Sequence, residues 1–372
     1  GLMTAVVFAP DSFKGSIGAA AAAAALAEGW QSVRADDTAV LRPMADGGEG
    51  TLDAFAAAVP GALRMPVIVT GPDAVQRDAA WLLLPPTPDA PRGTGVVELA
   101  STSGIEMLGD LRLPWEADTT GFGQAIAAAL DHGVSRLVLG IGSSASTDGG
   151  FGMLSVLGAR FVDADGAVPV GGARGMSSVA VVDLADLRSL PDGGVVVLSD
   201  VTNPLLGDRG AAAVFGPQKG LDDEGVERVD AALGRYAELF DVDPTIAGAG
   251  AAGGTGFALV VWGAELVPGS SEVAELIALA DAVAAASTVV TGEGSFDGQS
   301  ADGKVPSHVA ALARSAGAVV GLVAGRITPD ADSSAFAASV SLTELAGSSD
   351  AAMADTARWL RDAGAALARA LC

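Results

Sequence analysis

Apolar and polar positions alternate along the chain in blocks that predict strands and helices in turn. Each short β-branched run is followed by a glycine- or aspartate-rich turn and usually by an alanine- and leucine-rich segment, as in TAVVFA, TAVLRPM, SRLVLGI, GVVVLSD, STVVTG and AVVGLVAG. This alternation is typical of an α/β fold with a parallel sheet. At the start it predicts a strand over residues 4–9 and a helix over about residues 16–30.

The order of these elements predicts two domains. Both chain ends carry the same strand-loop-helix pattern, so we expect residues 1–66 and 286–372 to build one discontinuous domain around a common sheet. Residues 67–285 are then an inserted α/β domain, where PVIVT, DAAWLLL and GVVELA follow one another without a helical segment between them. The length of 372 residues and the hydrophobic content of 50% fit two domains with sizeable cores.

One uncharged run has the length of a membrane-spanning helix. It is TIAGAGAAGGTGFALVVWGA, residues 245–264, and it contains six glycines. A glycine-rich loop leading into a buried helix is the interpretation we favour, and we expect neither a signal peptide nor a membrane partner.

The charge balance restricts the partners further. Twenty-one basic and 45 acidic residues give a net charge of -24, which repels nucleic acid and anionic membranes. The single cysteine, Cys372, leaves no internal disulfide, so we expect a reducing compartment and place the protein in the cytoplasm, as a monomer or homodimer. An anionic substrate would need a local positive site within this negative field.

Lysine is rare, and all three lysines lie in glycine-rich segments. Lys14, Lys219 and Lys304 stand against eighteen arginines. A lysine is a compact point charge that can follow a phosphoryl group, whereas the planar fork of arginine needs more room and a fixed geometry. The alternative is that these lysines complete turns or pair with neighbouring acids.

Candidate chemistry concentrates in glycine-rich loops that follow strands. Ligands of open α/β sheets bind outside the carboxyl ends of the strands, where loop amides can donate to anions. Six stretches qualify: PDSFKGS (10–16), PMADGGEGT (43–51), GIGSSASTDGGFG (140–152), SDVTNPLLGDRGA (199–211), FGPQKG (215–220) and TGEGSFDGQSADGKVP (291–306).

Common nucleotide-binding and metal-binding motifs do not account for these six glycine-rich stretches. GQSADGK at 298–304 has the spacing of a phosphate-binding P-loop, but Val305 replaces the Ser or Thr that would hold magnesium, and the preceding strand is expected to end seven residues too early. GAGAAG at 248–253 follows DVDP rather than a strand, unlike a dinucleotide fingerprint. With two histidines and one cysteine, a zinc site or a Cys/His nucleophile is nearly excluded.

Acids, lysines and glycines remain, and they are the residues that phosphoryl transfer uses. That reaction needs carboxylates for magnesium, point charges on the phosphates and a carboxylate that accepts a proton from the attacking hydroxyl. Any single acid in these loops could instead cap a helix or form a turn.

The motifs APDSFKGS, PMADGGEGT, GIGSSASTDGG, DVTNPLLGDRGA, FGPQKG, GAGAAGGTG and TGEGSFDGQSADGKVP together resemble the bacterial glycerate kinase family that makes 2-phosphoglycerate. The resemblance runs in order from about residue 5 to 325. It implies a flavodoxin-like domain made from both chain ends, with an inserted domain that resembles a restriction-endonuclease fold. The family's third motif reads closer to GIGGSATNDGG, so Ser143, Ser146 and Thr147 depart from it.

The resemblance implies an ATP-dependent kinase that uses Mg²⁺ and phosphorylates D-glycerate at the 2-hydroxyl in an interdomain cleft. The catalytic candidates are Lys14, Asp46, Glu293, Asp297 and Lys304. The metal candidates are Asp46, Glu49, Asp200 and Glu293. The candidates for binding glycerate or nucleotide are Asp11, Ser12, Gly47, Gly48, Ser143, Ser144, Ser146, Asp148, Asn203, Gln218, Lys219 and Gln299.

Three alternatives stay open at this point. The chain could phosphorylate the 3-hydroxyl of glycerate, it could be a magnesium-dependent phosphatase that uses the same acids, or it could bind a phosphorylated ligand without catalysis.

Overall fold

The computed structural model describes residues 4–300 and 305–372. The chain divides into two compact units. Unit 1 comprises the residues up to Ala45, Asp53–Pro60 and Ser270–Cys372, and unit 2 comprises Asp46–Leu52 and Gly61–Gly269. The domain boundaries predicted at residues 66 and 285, and the likeness of the insertion to a restriction endonuclease, stay predictions.

The described residues form thirteen strands and fourteen α-helices. The strands are β1 (Ala5–Phe8), β2 (Thr38–Leu41), β3 (Leu63–Thr70), β4 (Gln76–Leu84), β5 (Thr94–Glu98), β6 (Arg136–Gly140), β7 (Arg160–Val162), β8 (Val181–Asp183), β9 (Val195–Leu198), β10 (Glu265–Val267), β11 (Thr288–Phe296), β12 (Val319–Ile327) and β13 (Ala338–Ser341). The helices are α1 (Ala19–Val33), α2 (Thr51–Ala58), α3 (Thr120–His132), α4 (Phe151–Val156), α5 (Gly172–Met176), α6 (Ala211–Phe215), α7 (Asp223–Ala237), α8 (Thr255–Trp262), α9 (Gly269–Leu276), α10 (Leu279–Ala284), α11 (Val305–Ala316), α12 (Leu342–Ala346), α13 (Ser349–Ala354) and α14 (Thr356–Leu371). Short 3-10 helices cover Ile105–Leu108, Pro217–Lys219 and Ala251–Gly254.

Unit 1 is built on a parallel five-stranded sheet in the order β2-β1-β11-β12-β13. The strands from both chain ends therefore pair directly, with Val7 of β1 opposite Val40 of β2 and Val289 of β11. Counted within the unit, this order is 2-1-3-4-5, the order of flavodoxin-like sheets. Buried side chains of the strands, α1 and α14 form its core, including Phe8, Trp30 and Leu360.

Unit 2 is built on a mixed six-stranded sheet in the order β10-β9-β6-β5-β4-β3. The strands β5, β6, β9 and β10 pair in parallel, while β3, β4 and β5 pair antiparallel. The three adjacent strand candidates of the sequence are confirmed as β3, β4 and β5. They pair antiparallel because only five residues, 71–75, join β3 to β4, too few for a parallel crossover.

The glycine-rich run 245–264 is confirmed as a loop that leads into a buried helix. The 3-10 turn Ala251–Gly254 precedes α8, in which Phe257, Ala258 and Leu259 have no exposed surface. No helix within residues 4–300 and 305–372 combines the length and the apolar character that crossing a bilayer requires.

The first helix begins later than predicted. Its first residue is Ala19 rather than about residue 16, because the preceding residues close a turn in which Phe13 N donates to Ile17 O and Ser16 N donates to Phe13 O. Gly18 then precedes the helix with extended backbone angles.

Candidate functional site

In unit 1, the loop after β1 lies against the middle of β11. The backbone N–H of Asp11 donates to Gly292 O at 2.9 Å, and Thr291 Oγ1 donates to Ala9 O at 2.8 Å. A Cβ placed on Gly294 would lie 3.3 Å from the backbone nitrogen of Lys14. The fold of this unit thus brings the predicted residues Asp11, Ser12 and Lys14 to the part of β11 that carries Glu293.

Glu293 lies within a strand, which corrects the expectation that it follows one. Strand β11 continues to Phe296, where Ser295 and Phe296 pair with Arg326 and Ile327 of β12. The extension is stabilised because Phe296, 3% exposed, packs against Leu322 and Ala324. The expectation that this strand ends seven residues before GQSADGK is therefore wrong, and Val305 remains as the departure from a P-loop.

Asp297 forms a turn directly after β11. Its Oδ1 accepts the backbone N–H of Gln299 at 3.0 Å, and its own N–H donates to Ser300 Oγ at 2.9 Å. This is the turn-forming arrangement that the sequence left open for an acid in a glycine-rich loop. Gln299 is exposed in the same turn. Lys304 lies outside the described residues.

Arg42 is a further cation at the sheet edge of unit 1, and the sequence analysis did not identify it as a candidate. Arg42 follows β2, and its backbone N–H donates to Phe8 O at 2.8 Å, beside the end of β1. Partial burial lowers the pKa of its guanidinium. A half-buried cation thus lies at the carboxyl edge of this parallel sheet.

In unit 2, the segment DGGEG lies on the carboxyl ends of the parallel strands β6 and β9. Gly142 N donates to Gly47 O at 3.1 Å. A Cβ on Gly142 would lie only 2.6 Å from Gly48 Cα, and one on Gly47, whose φ is +101°, would lie 2.6 Å from Leu198 O. The glycines of both motifs are therefore required for backbone to approach backbone at this edge.

Two predicted metal ligands lie beside Gly269 in unit 2. Asp200 Oδ1 accepts Gly269 N at 2.9 Å, and a Cβ on Gly269 would lie 2.8 Å from Asp46 O. Asp46 Oδ1 accepts Gly48 N at 3.0 Å, and the carboxylates of Asp46, Glu49 and Asp200 belong to exposed residues.

Asp46 and Asp200 supply carboxylate oxygens, the ligand type that magnesium prefers. Among residues 4–300 and 305–372, no three His, Cys, Asp or Glu side chains converge into a metal-binding group. Mg²⁺ usually binds through one or two carboxylates together with substrate phosphates and water, so the pair Asp46 and Asp200 suits it.

The serine-rich loop after β6 is held in a fixed conformation. Ser143 adopts a left-handed backbone with φ +63°, at the position where the family motif has glycine. Ile105 N donates to Ser143 O at 2.9 Å and Ala145 N donates to Ser103 O at 3.2 Å, so the loop is anchored on both sides of Ser144. The side chains of Ser144 and Ser146 are buried.

Lys219 extends from the 3-10 turn Pro217–Lys219 into this loop. Its Nζ lies 2.7 Å from Ser144 Oγ and 2.6 Å from Ser146 O, and the residue is 5% exposed. Burial lowers the pKa of its ammonium to about 7, and the charge of Asp148 opposes that change.

Asp148 anchors the other end of the same loop. Its carboxylate accepts four hydrogen bonds, from Thr119 N, Thr119 Oγ1, Gly150 N and Gly152 N, at 2.9 to 3.0 Å. Complete burial raises the pKa of Asp148 to about 6, with a further contribution from the charge of Asp118. Since its acceptors are engaged by the protein, Asp148 organises the loop rather than facing outward.

Asn203 and Gln218 occupy neighbouring loops. The carbonyl of Asn203 accepts the N–H groups of Gly248 and Gly250, while its side-chain amide donates to Arg209 O at 2.8 Å. Asn203 thereby joins two of the glycine-rich motifs within unit 2. Gln218 is exposed next to the buried Lys219, and its carbonyl accepts Arg112 Nε at 3.1 Å.

The sequence analysis missed the residues that support these loops from behind. Thr119 donates twice to Asp148, Tyr236 OH donates to Gly149 O at 2.9 Å, and Glu98 Oε2 accepts Leu52 N at 2.9 Å. Each acts on a residue at least 29 positions away. No local pattern marks such side chains, because their partners are brought to them only by the tertiary fold.

The amino-acid sequence is similar to known proteins over most of its length. Residues 6–372 match the model of the Glycerate kinase family. The chain is 39% identical to a protein of Escherichia coli K12 named glycerate 2-kinase, over 87% of this chain and 86% of the relative. It is 38% identical to a Bacillus subtilis 168 protein named glycerate kinase, over 88% and 86% of the two chains.

A solved structure extends the likeness to three dimensions. The crystal structure of a Salmonella typhimurium LT2 protein described as glycerate kinase 2 superposes with a TM-score of 0.82 at 36% identity, over 100% of this chain and 98% of that one. Since family match, sequence identity and fold agree over nearly the whole length, the chain belongs to the glycerate kinase family.

Proposed function

We propose that this enzyme transfers the γ-phosphoryl group of ATP to the 2-hydroxyl of D-glycerate and forms 2-phosphoglycerate and ADP. The observation that carries the proposal is the identity of 39% to the Escherichia coli protein named glycerate 2-kinase, over 87% of this chain. Four of the motifs that carry the family likeness follow strands: APDSFKGS follows β1, PMADGGEGT follows β2, GIGSSASTDGG follows β6 and DVTNPLLGDRGA follows β9.

In unit 1, we assign the phosphate contacts to the loop after β1. Phosphoryl transfer depends mainly on positioning and on neutralising the charge of the phosphate oxygens. Lys14 is exposed in that loop, and the loop is held against β11 by the hydrogen bond from Asp11 N to Gly292 O. The ammonium of Lys14 is thus a mobile point charge on a fixed backbone, suited to follow the phosphoryl group.

In unit 2, we assign anion recognition to the loops 46–50 and 142–148. The close backbone contacts at Gly47, Gly48 and Gly142 fix these loops before any ligand arrives. Amides and hydroxyls held in this way bind phosphate or carboxylate oxygens without further ordering. The interdomain cleft expected from the sequence stays a prediction.

Magnesium is the cofactor in this proposal. Asp46 and Asp200 would hold it, with Glu49 and Glu293 as further candidates. When bound, it would neutralise the charge of the phosphate groups. The proton of the attacking hydroxyl passes to a carboxylate, for which Asp46, Glu293 and Asp297 are the candidates. The cytoplasmic location and the oligomeric state stay predictions from the composition.

The test is ADP release by the purified enzyme with ATP and Mg²⁺, measured with and without D-glycerate. The proposal expects ADP only when glycerate is present. ADP formation that is independent of glycerate, or hydrolysis of a phosphate ester in the absence of nucleotide, would contradict it and favour the phosphatase alternative. Binding of glycerate with no product at high enzyme concentration would favour the non-catalytic alternative.

A further inference from the structure

Lys219 is the more deeply buried of the two described lysines, and its ammonium group donates hydrogen bonds to the protein. Its Nζ donates two hydrogen bonds within unit 2, to Ser144 Oγ at 2.7 Å and to Ser146 O at 2.6 Å. Lys219 and Ser144 are both buried, at 5% and 7% exposed, so the engagement of their protons distinguishes the two residues rather than their exposure. A direct contact with glycerate or nucleotide, the role that the sequence suggested for Lys219, would compete with these two bonds for the ammonium protons.

The hydroxyl of Ser144 has a proton that takes no part in its bond with Lys219. An ammonium group can donate but cannot accept, so Ser144 Oγ accepts from Lys219 and its own proton is directed elsewhere. Ser144 sits between two backbone anchors, Ile105 N to Ser143 O and Ala145 N to Ser103 O, which fix its Cα. The hydroxyl is thus oriented, and hydrogen bonding to a cation strengthens it as a donor.

We propose that Lys219 is a positioning residue that fixes the Ser144 hydroxyl as a hydrogen-bond donor to an anionic oxygen of the substrate, a phosphate or a carboxylate. This inference rests on the proposed function and refines it, because it moves the substrate contact from the lysine to the serine. The substrate never touches Lys219 in this account.

The charged groups around the pair set its pH dependence. Asp148 attracts the ammonium of Lys219, Asp118 and Tyr236 interact with Asp148, and Arg112 donates to the neighbouring Gln218 O. As the pH rises above the lowered pKa of Lys219, about 7, the ammonium loses its proton. A neutral amine can accept the Ser144 proton, which turns the hydroxyl inward and away from the substrate.

The experiment compares steady-state kinetics of the wild type with Ser144→Ala, Lys219→Met and the double variant, using ATP, Mg²⁺ and D-glycerate. Each single change should lower kcat/KM by roughly tenfold or more at pH 7. Because Lys219 acts through Ser144, the kcat/KM of the double variant should be no more than about twofold below that of the less active single variant. The fall in kcat/KM above pH 7 should be absent from Ser144→Ala.

A matched control removes a different hydrogen bond to the same loop. Tyr236→Phe deletes the bond from Tyr236 OH to Gly149 O and leaves Ser144 untouched. Tyr236→Phe alone should lower kcat/KM by less than about threefold. When it is combined with Ser144→Ala, the two fold-changes should multiply, because the two residues act independently. Circular dichroism and melting temperature verify folding; if Lys219→Met does not fold, the pH profile of Ser144→Ala decides the question.

Two results would overturn the inference. Losses of Ser144→Ala and Lys219→Met that multiply in the double variant would mean that each contacts substrate independently. A Ser144→Ala enzyme that keeps the wild-type rate and the wild-type pH profile would mean that the serine is not the contact.

A wild type without glycerate-dependent turnover would sink the proposed function instead, and the same four proteins would then be titrated calorimetrically with inorganic phosphate. Equal weakening of phosphate binding in the two single variants and the double variant would support the positioning role. Independent weakening, or no phosphate binding by the wild type, would overturn it.

Discussion

Lys14 and Lys219 carry the same side chain in opposite surroundings. Lys14 is exposed on the loop after β1, whereas Lys219 is enclosed by Ser144, Ser146 and the field of Asp148. An exposed ammonium is a mobile point charge for a ligand, while a buried one is spent on holding protein groups in place. The two residues should therefore respond differently to replacement.

Lys14→Arg should keep the charge and the melting temperature but lower kcat by about tenfold or more, because the wide guanidinium cannot follow the phosphoryl group. Steady-state kinetics and thermal unfolding measure the two effects. Lys14→Met is the matched control, which lacks the charge as well and should be less active still. An arginine enzyme that keeps more than about half of the wild-type rate would show that Lys14 is not a phosphate clamp.

Lys219 should make the stability of unit 2 depend on pH. Its pKa is about 7 in the folded protein and 10.5 when unperturbed, so between these values the unfolded chain binds more protons than the folded one. The free energy of unfolding must then rise with pH across this range, and the contribution is lost in Lys219→Met. Urea unfolding at pH 7 and 9.5 should show the gap between wild type and variant shifting in favour of the wild type. A gap that is constant with pH would contradict the lowered pKa.

At the scale of elements, periodicity predicted most strands and the buried helix α8, since each has a clear apolar pattern of its own. It failed where a neighbour extends an element. Strand β11 continues through Gly294 and Ser295 because β12 pairs with it, although GEGSF reads locally as a loop. Helix α1 starts late because the turn from Phe13 to Ile17 precedes it.

The contact between the loop 46–50 and the end of β6 depends on Gly142. Gly142→Ala should destabilise unit 2 by about 1 to 3 kcal/mol, because its Cβ would meet the backbone of Gly48 at 2.6 Å, where neither atom can move freely. Gly234→Ala is the matched control, since its Cβ would find ordinary contact with Leu206 at 3.7 Å inside α7. It should stabilise the protein by up to about 1 kcal/mol. Chemical denaturation of both variants measures the difference, and equal effects would refute this account of the loop.

At the scale of the whole molecule, the sequence predicted the α/β class and the parallel sheet shared by both chain ends, because strand and helix patterns alternate regularly there. It also selected the loops that carry the candidate site, since glycines and acids are locally visible. It could not predict the burial of Lys219 and Asp148 or the support from Thr119 and Tyr236. Those features depend on contacts between segments distant in the chain.

Removal of magnesium should abolish activity and leave the fold intact. The sequence has only two histidines and one cysteine, so we expect folding not to depend on a structural metal. An excess of EDTA should eliminate ADP formation without changing the far-ultraviolet circular dichroism, and added Mg²⁺ should restore the rate. Loss of the folded signal with chelator would contradict this prediction.

The phosphorus NMR spectrum of the product tests the central claim most directly. After incubation of the enzyme with ATP, Mg²⁺ and D-glycerate, a phosphate on the 2-hydroxyl couples to the single proton of its carbon and gives a doublet, whereas a phosphate on the 3-hydroxyl couples to a methylene group and gives a triplet. We expect the doublet of 2-phosphoglycerate together with the signals of ADP. A triplet, or ATP that remains unchanged in the presence of glycerate, would contradict the assignment of this chain as a glycerate 2-kinase.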